Sequence, residues 1–151
     1  MLLEHGASIE RGPLGFQSPL AEAAENKNAE FVRAMLEVRQ PSQDALDEAI
    51  ASAPIEPSNG AIRPLLEHGA NINAPRRLPP AWSAAAHLKD PGGRELMLLL
   101  IRHKVDPNGL IPGTDSPLMK VMHDHELMQG LLELGADTNY RAREGDMQIR
   151  T

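Results

Sequence analysis

Histidine and carboxylate side chains crowd one short stretch, His123-Asp124-His125-Glu126, and these are residue types that hold divalent cations. A zinc site needs three or four convergent ligands. Two histidines two positions apart on a helix do not face each other, so this stretch could chelate only from an extended turn, and weakly. Three of the other histidines, His5, His68 and His103, share a different place. Each stands just before a Gly or Lys that closes a leucine-rich segment. A protonated imidazole at the end of a helix is favoured by the macrodipole, and repetition spreads these three along the molecule instead of gathering them. The histidines therefore read as structural, with no metal and no cofactor implied.

Nucleophile and phosphate motifs are missing from the sequence. It contains no Gly-x-Ser-x-Gly, no Gly-x-x-x-x-Gly-Lys-Ser/Thr and no His-Glu-x-x-His. Pro91-Gly92-Gly93 and Gly12-Pro13-Leu14-Gly15 are turn formers, since neither follows a strand in a βαβ unit. The carboxylates give no pair a reason to sit in an enclosed, desolvated pocket, which acid–base chemistry requires. The expectation is a protein that is not an enzyme.

A chain of 151 residues suffices for one domain with a core. Its composition, 41% hydrophobic and 24% charged, is globular. With one Trp, one Tyr and two Phe, the interior must be built from Leu, Ala, Ile and Met, which suits packed helices. The net charge of −6 is uneven: residues 1–60 carry ten acidic and four basic side chains, residues 61–151 eleven of each. That balance argues against nucleic acid, whose phosphates need a basic face. The absence of cysteine excludes disulfides and thiolate ligands and fits a reducing compartment. The start has no signal-peptide apolar run, and the longest purely apolar run, Leu96 to Ile101, is far too short to span a membrane. An intracellular protein is expected, cytoplasmic in preference to nuclear, with no membrane partner.

The organising feature is a repeated phrase. Leu65-Leu66-Glu67-His68-Gly69-Ala70-Asn71-Ile72-Asn73 has copies at residues 2–7, at 100–108 and at 131–139, and a decayed copy at 35–39. Aligned on their second apolar residue, these give Leu3, Leu36, Leu66, Ile101 and Leu132, with steps of 33, 30, 35 and 31 residues. Each copy reads as the end of a helix closed by Gly, the residue that enters left-handed dihedrals freely. Upstream stands a shorter helix, opened by Ser18-Pro19-Leu20 and again by Ser116-Pro117-Leu118. There Ser acts as N-cap and Pro takes the first helical position, where its missing N–H is tolerated. Leu20, Ala23 and Ala24 share one helical face, and Val32, Met35 and Leu36 form the stripe of the next helix. The unit is turn, short helix, turn, helix.

That unit resembles the ankyrin repeat, whose period is about 33 residues and whose first helix opens on Thr-Pro-Leu-His-x-Ala. The matching segments are Ser18-Pro19-Leu20-Ala21-Glu22-Ala23 and Ser116-Pro117-Leu118-Met119-Lys120-Val121, with Leu-Leu-x-x-Gly-Ala-Asp-x-Asn endings at 65–73 and 131–139. The resemblance covers essentially the whole chain. It implies an all-α, ankyrin-type helical solenoid with short β-hairpin-like loops, of about four degenerate repeats and incomplete at both ends. The expected division of one domain, 1–151, is 1–10 (partial), 11–43, 44–73, 74–108, 109–139 and 140–151 (partial). Departures from the pattern are local. Only Gln40-Pro41-Ser42-Gln43 separate Arg39 from Asp44, so the second repeat has lost its hairpin. A helix is expected from Asp44 to Ser52, then a long loop from Pro54 to Gly60. The third repeat should open near Pro79-Pro80, with its second helix at about Glu95 to His103.

The resemblance further implies binding of another protein, or of a neighbouring domain in a longer chain, through hairpin tips and the concave face of the first helices. On that mapping the candidates are Arg11, Leu14 and Phe16 on the first finger, and Arg76, Arg77 and Leu78 on the third. Leu110 and Ile111 fall on the fourth, Arg141 and Arg143 on the last, and Trp82 and Lys120 on first helices. Arg, aromatic residues and Leu at such places suit interface anchors. Each also has a plainer reading as an exposed loop residue. For Phe16, Trp82 and Ile111 the plainer reading is a side chain that pins the hairpin to its helix. The chain is expected to be a monomer. An alternative role is a spacer in a larger multidomain protein, with no partner site of its own.

Overall fold

Capping residues set the elements. The computed structural model describes residues 17–109 and 111–139, where all regular structure is helical and no strand forms. The expected hairpin-like fingers are turns without strand pairing, at 73–78 and 111–115. Contacts divide the chain into two compact units, residues 1–76 and 77–151.

The first unit holds α1 (Pro19–Glu25), α2 (Ala29–Val38), α3 (Gln43–Ser52) and α4 (Ile62–Glu67). Ser18 Oγ accepts from the Ala21 N–H at 3.1 Å, and Pro19 follows it, as the Ser-Pro pair predicts. α1 buries Leu20, Ala21, Ala23 and Ala24. Asn28 caps α2 by accepting from Phe31 N–H at 3.1 Å, and Ser42 caps α3 by accepting from Ala45 N–H at 3.2 Å. Val32, Met35 and Leu36 are buried on α2, and Leu46, Ala49 and Ile50 on α3. The long loop before α4 is held by Asn59, only 4% exposed. Its amide donates to Pro54 O at 2.9 Å and accepts from Ala61 N–H at 3.0 Å. First helix lies on first helix, α1 on α3, and second on second, α2 on α4.

The second unit repeats that plan with α5 (Pro80–Ala85), α6 (Gly93–Arg102), α7 (Pro117–Lys120) and α8 (His125–Glu133). α5 lies on α7 and α6 on α8. Ser116 caps α7 and Asp124 caps α8, each accepting at 3.3 Å from the N–H three residues on. Of the aligned leucine positions, Leu36 and Leu66 are buried, whereas Leu132 is 39% exposed. α8 rests on α6 and α7, and no later helix among the described residues covers its remaining side.

Three helix ends close identically. The N–H groups of Ala70, Val105 and Ala136 donate back to Leu65, Leu100 and Leu131 at 3.0, 3.1 and 3.0 Å. This bond needs a left-handed residue just before the donor. Gly69 (φ 102°) and Gly135 (φ 100°) supply it, and Lys104 takes the same conformation at φ 65°. Beyond these ends, Asn71, Asp106 and Asp137 each accept at 2.8–2.9 Å from the N–H two residues later, forming matching turns.

Asn108 then joins one turn to the next. Its amide donates to Gly135 O at 3.1 Å and accepts from Asp137 N–H at 2.7 Å. In the repeat that has lost its hairpin, Gln43 stands at the position equivalent to Asn108, seven residues after the aligned leucine. Gln43 donates to Gly69 O at 2.9 Å, while Asp47 of the same helix accepts from Asn71 N–H at 2.9 Å and from Gln43 at 2.8 Å. The same two backbone groups are therefore held, by two side chains of α3 in place of one asparagine.

Candidate functional site

The described surface treats the finger candidates unequally. Arg76, expected at an exposed tip, turns inward. Its guanidinium donates to Ile50 O and Ala53 O, both at 2.8 Å, at the C-terminal end of α3. A fixed cation there satisfies carbonyls that the helix leaves unpaired and faces the negative end of its dipole. Burial pulls the Arg76 pKa below its ordinary value, and its Nε is buried with no partner among the described residues. Arg77 and Leu78 remain exposed, Leu78 at 45%. Arg11, Leu14, Phe16, Leu110, Arg141 and Arg143 lie outside the described residues.

Trp82 and Lys120, on successive first helices, line one open groove of about 190 Å³ together with Ala85, Ala86, Thr114 and Asp115. α5 supplies one wall because Pro80, Ala81, Ala84 and Ala85 bury its other side and leave Trp82 and Ala86 toward the surface. The indole N–H of Trp82 donates to Thr114 Oγ1 at 2.8 Å, and Thr114 in turn donates to Ile111 O at 2.5 Å. Trp82 thus pins the 111–115 turn to its own helix while its half-exposed ring forms part of the groove. Lys120 Nζ stands 3.9 Å from Asp115, so the rim carries both signs of charge. Ile111 is half-buried beside this turn.

The acidic and histidine-rich stretch is organised by a residue that the sequence did not single out. Arg94 Nε donates to Asp124 at 2.6 Å, and a terminal nitrogen reaches Glu126 at 2.6 Å. Both carboxylates flanking His125 thus bind the Arg94 cation, and Asp124 caps α8 as well. Among the described residues, no three His, Asp or Glu side chains converge on a point that could hold a metal ion. His68 and His103 close α4 and α6 as C-caps, and His68 Nδ1 lies 2.8 Å from Pro64 O.

Hydrogen bonds from Arg94 hold the Asp124 carboxyl below its ordinary pKa, with the Leu127 N–H adding to the effect and partial desolvation opposing it. A carboxylate with a lowered folded pKa contributes stability that is present above its unfolded value and is lost as pH falls through the folded one. Stability below about pH 4 should therefore fall faster in the parent than in Asp124→Asn, which keeps a capping oxygen. Acid unfolding followed by circular dichroism checks this. Parallel acid limbs for the two proteins would show that the pair contributes nothing.

No protein-family model and no curated relative matches the sequence. Among solved structures, an ankyrin repeat domain from Acinetobacter baumannii AYE aligns with 91% of this chain and 74% of its own, at a TM-score of 0.57 and 19% identity. The chain has the ankyrin-repeat fold. In this chain that fold is built from helix pairs whose second members mostly end on a left-handed residue. The all-helical ankyrin-type repeat fold that the resemblance implies is the fold observed. Among the described residues, no helix is long and apolar enough to cross a membrane.

Proposed function

We propose that the chain is a non-catalytic protein-recognition module that meets another protein, or a neighbouring domain, on the first helices of its second unit. The observation that carries this reading is the groove shared by Trp82 and Lys120, two residues from different repeats with Ala85 and Ala86 between them. An aromatic face, a floor of methyl groups and a mixed-charge rim suit one apolar anchor with polar contacts around it. The surface is already ordered by the Trp82–Thr114 bond, so binding does not carry the cost of folding it. Exposed Arg77 and Leu78 on the preceding finger extend the same reading, which takes the protein as an intracellular monomer.

Ala86→Arg fills the groove from an exposed position at the end of α5 and should leave the fold intact. Pull-down with mass spectrometry should then lose proteins that the parent chain captures. Capture of the same proteins in the same yield would remove the groove from the interface. A spacer role has one observation in its favour, the internal use of the Arg76 charge. It gains if Arg77→Glu leaves capture unchanged as well.

A further inference from the structure

Phe31 occupies a position that the other repeats bury. It stands five residues before Leu36, as Ala61 stands before Leu66, Leu96 before Ile101 and Leu127 before Leu132. Those three equivalents are 0%, 7% and 1% exposed, whereas Phe31 is 41% exposed. α4 and α8 lie on the second helix of the preceding pair, α2 and α6 respectively. α2 has no earlier second helix beneath it among the described residues.

The exposed ring borders an open groove of about 300 Å³ lined by Pro19, Glu22, Ala23, Asn26 and Asn28. Pro19, Glu22, Ala23 and Asn26 recur at the spacing of a single helical face, so one side of α1 forms the floor. Charge narrows what this seat can take. Among the described residues of the lining, Glu22 is the one acidic or basic side chain. Lys27, the cation of the α1–α2 turn, is drawn away to Glu56 at 2.7 Å. Glu25 and Glu30 stand exposed on the same two helices. A second copy of a chain with net charge −6 would set acid against acid.

We propose that this groove, on the first unit and apart from the Trp82 groove, seats an amphipathic basic helix of a partner protein. An apolar side chain of that helix covers Phe31, and an Arg or Lys beside it meets Glu22. The ring face adds a cation–π contact to the carboxylate's attraction. Such a ligand supplies the apolar cover that the other repeats obtain from within, and it brings the charge that this seat lacks.

The test uses the full chain and a fluorescein-labelled helical peptide of Leu, Ala and Arg, with Leu at one-face spacing and Arg alongside. A counterpart with Glu in place of Arg serves as the control. Fluorescence anisotropy should show binding of the Arg peptide alone, weakened about tenfold or more by Phe31→Ser and by Glu22→Lys. Glu37→Lys, on exposed α2 surface outside the groove, should leave affinity within about twofold. Equal weakening by Glu37→Lys would mean general attraction to an acidic protein and would overturn the proposal. So would unchanged binding in Phe31→Ser. A photoreactive p-benzoylphenylalanine in place of Phe31 should capture the peptide on irradiation. Capture confined to its own chain, or of a second copy, would give the seat to that occupant and overturn the proposal.

Discussion

Arg76→Glu should destabilise the first unit by about 3–5 kcal/mol, since each hydrogen bond from a charged donor contributes about 1.5–3 kcal/mol and two are lost. The substitution deletes two hydrogen bonds to the end of α3 and sets a carboxylate beside the carbonyls of Ile50 and Ala53. Repulsion from the helix dipole replaces attraction. Arg77→Glu, one residue on and exposed, should stay within about 0.5 kcal/mol of the parent. Urea unfolding of the two variants checks the contrast. Equal midpoints would mean that the Arg76 contacts carry no stability. The comparison also governs how the finger is probed. Reversing both arginines together would confuse unfolding with loss of a partner, so Arg77→Glu alone is the informative change.

Leu66→Ala should cost about 2–5 kcal/mol. Leu66 is 2% exposed on α4, a helix that rests on both α2 and α3. A repeat pair cannot bury its apolar face alone and relies on its neighbours, so a cavity here loosens the repeat on which α4 is stacked as well as its own. Against a typical total of about 5–15 kcal/mol, the loss should move the thermal midpoint by many degrees. Leu132→Ala provides the internal comparison. It holds the equivalent position at 39% exposure and should cost clearly less. Similar midpoint shifts for the two would contradict the burial argument.

The sequence showed those features whose partners lie within a few residues. Ser18 and Ser116 cap helices three residues ahead, and Gly69 and Gly135 close helices just behind them. Local spacing specifies both kinds of contact. The helical faces were legible for the same reason, and Leu46, Ala49 and Ile50 are buried as their period predicts. The role of Arg94 is not legible in local spacing, because its carboxylates stand 30 and 32 residues away on the next repeat and only the stack brings them near. The inward turn of Arg76 is not legible either, because a finger position says nothing of which way the guanidinium points. Its direction depends on where the end of α3 falls. Trp82 carried both readings in the sequence, and the structure combines them, since one end of the indole fastens the turn while its face stays half-exposed.

The clamp made by Gln43 and Asp47 has a consequence for repeat architecture. An extended finger and the alignment of neighbouring repeats are separable properties, because α3 alone can grip the next turn at Gly69 and Asn71. Shortening the repeat from 33 to 30 residues therefore removes a loop without dislocating the stack. Length polymorphism in such a chain is absorbed wherever an amide keeps its place relative to the conserved geometry of the helix end, and register survives as a matter of hydrogen bonding instead of residue counting.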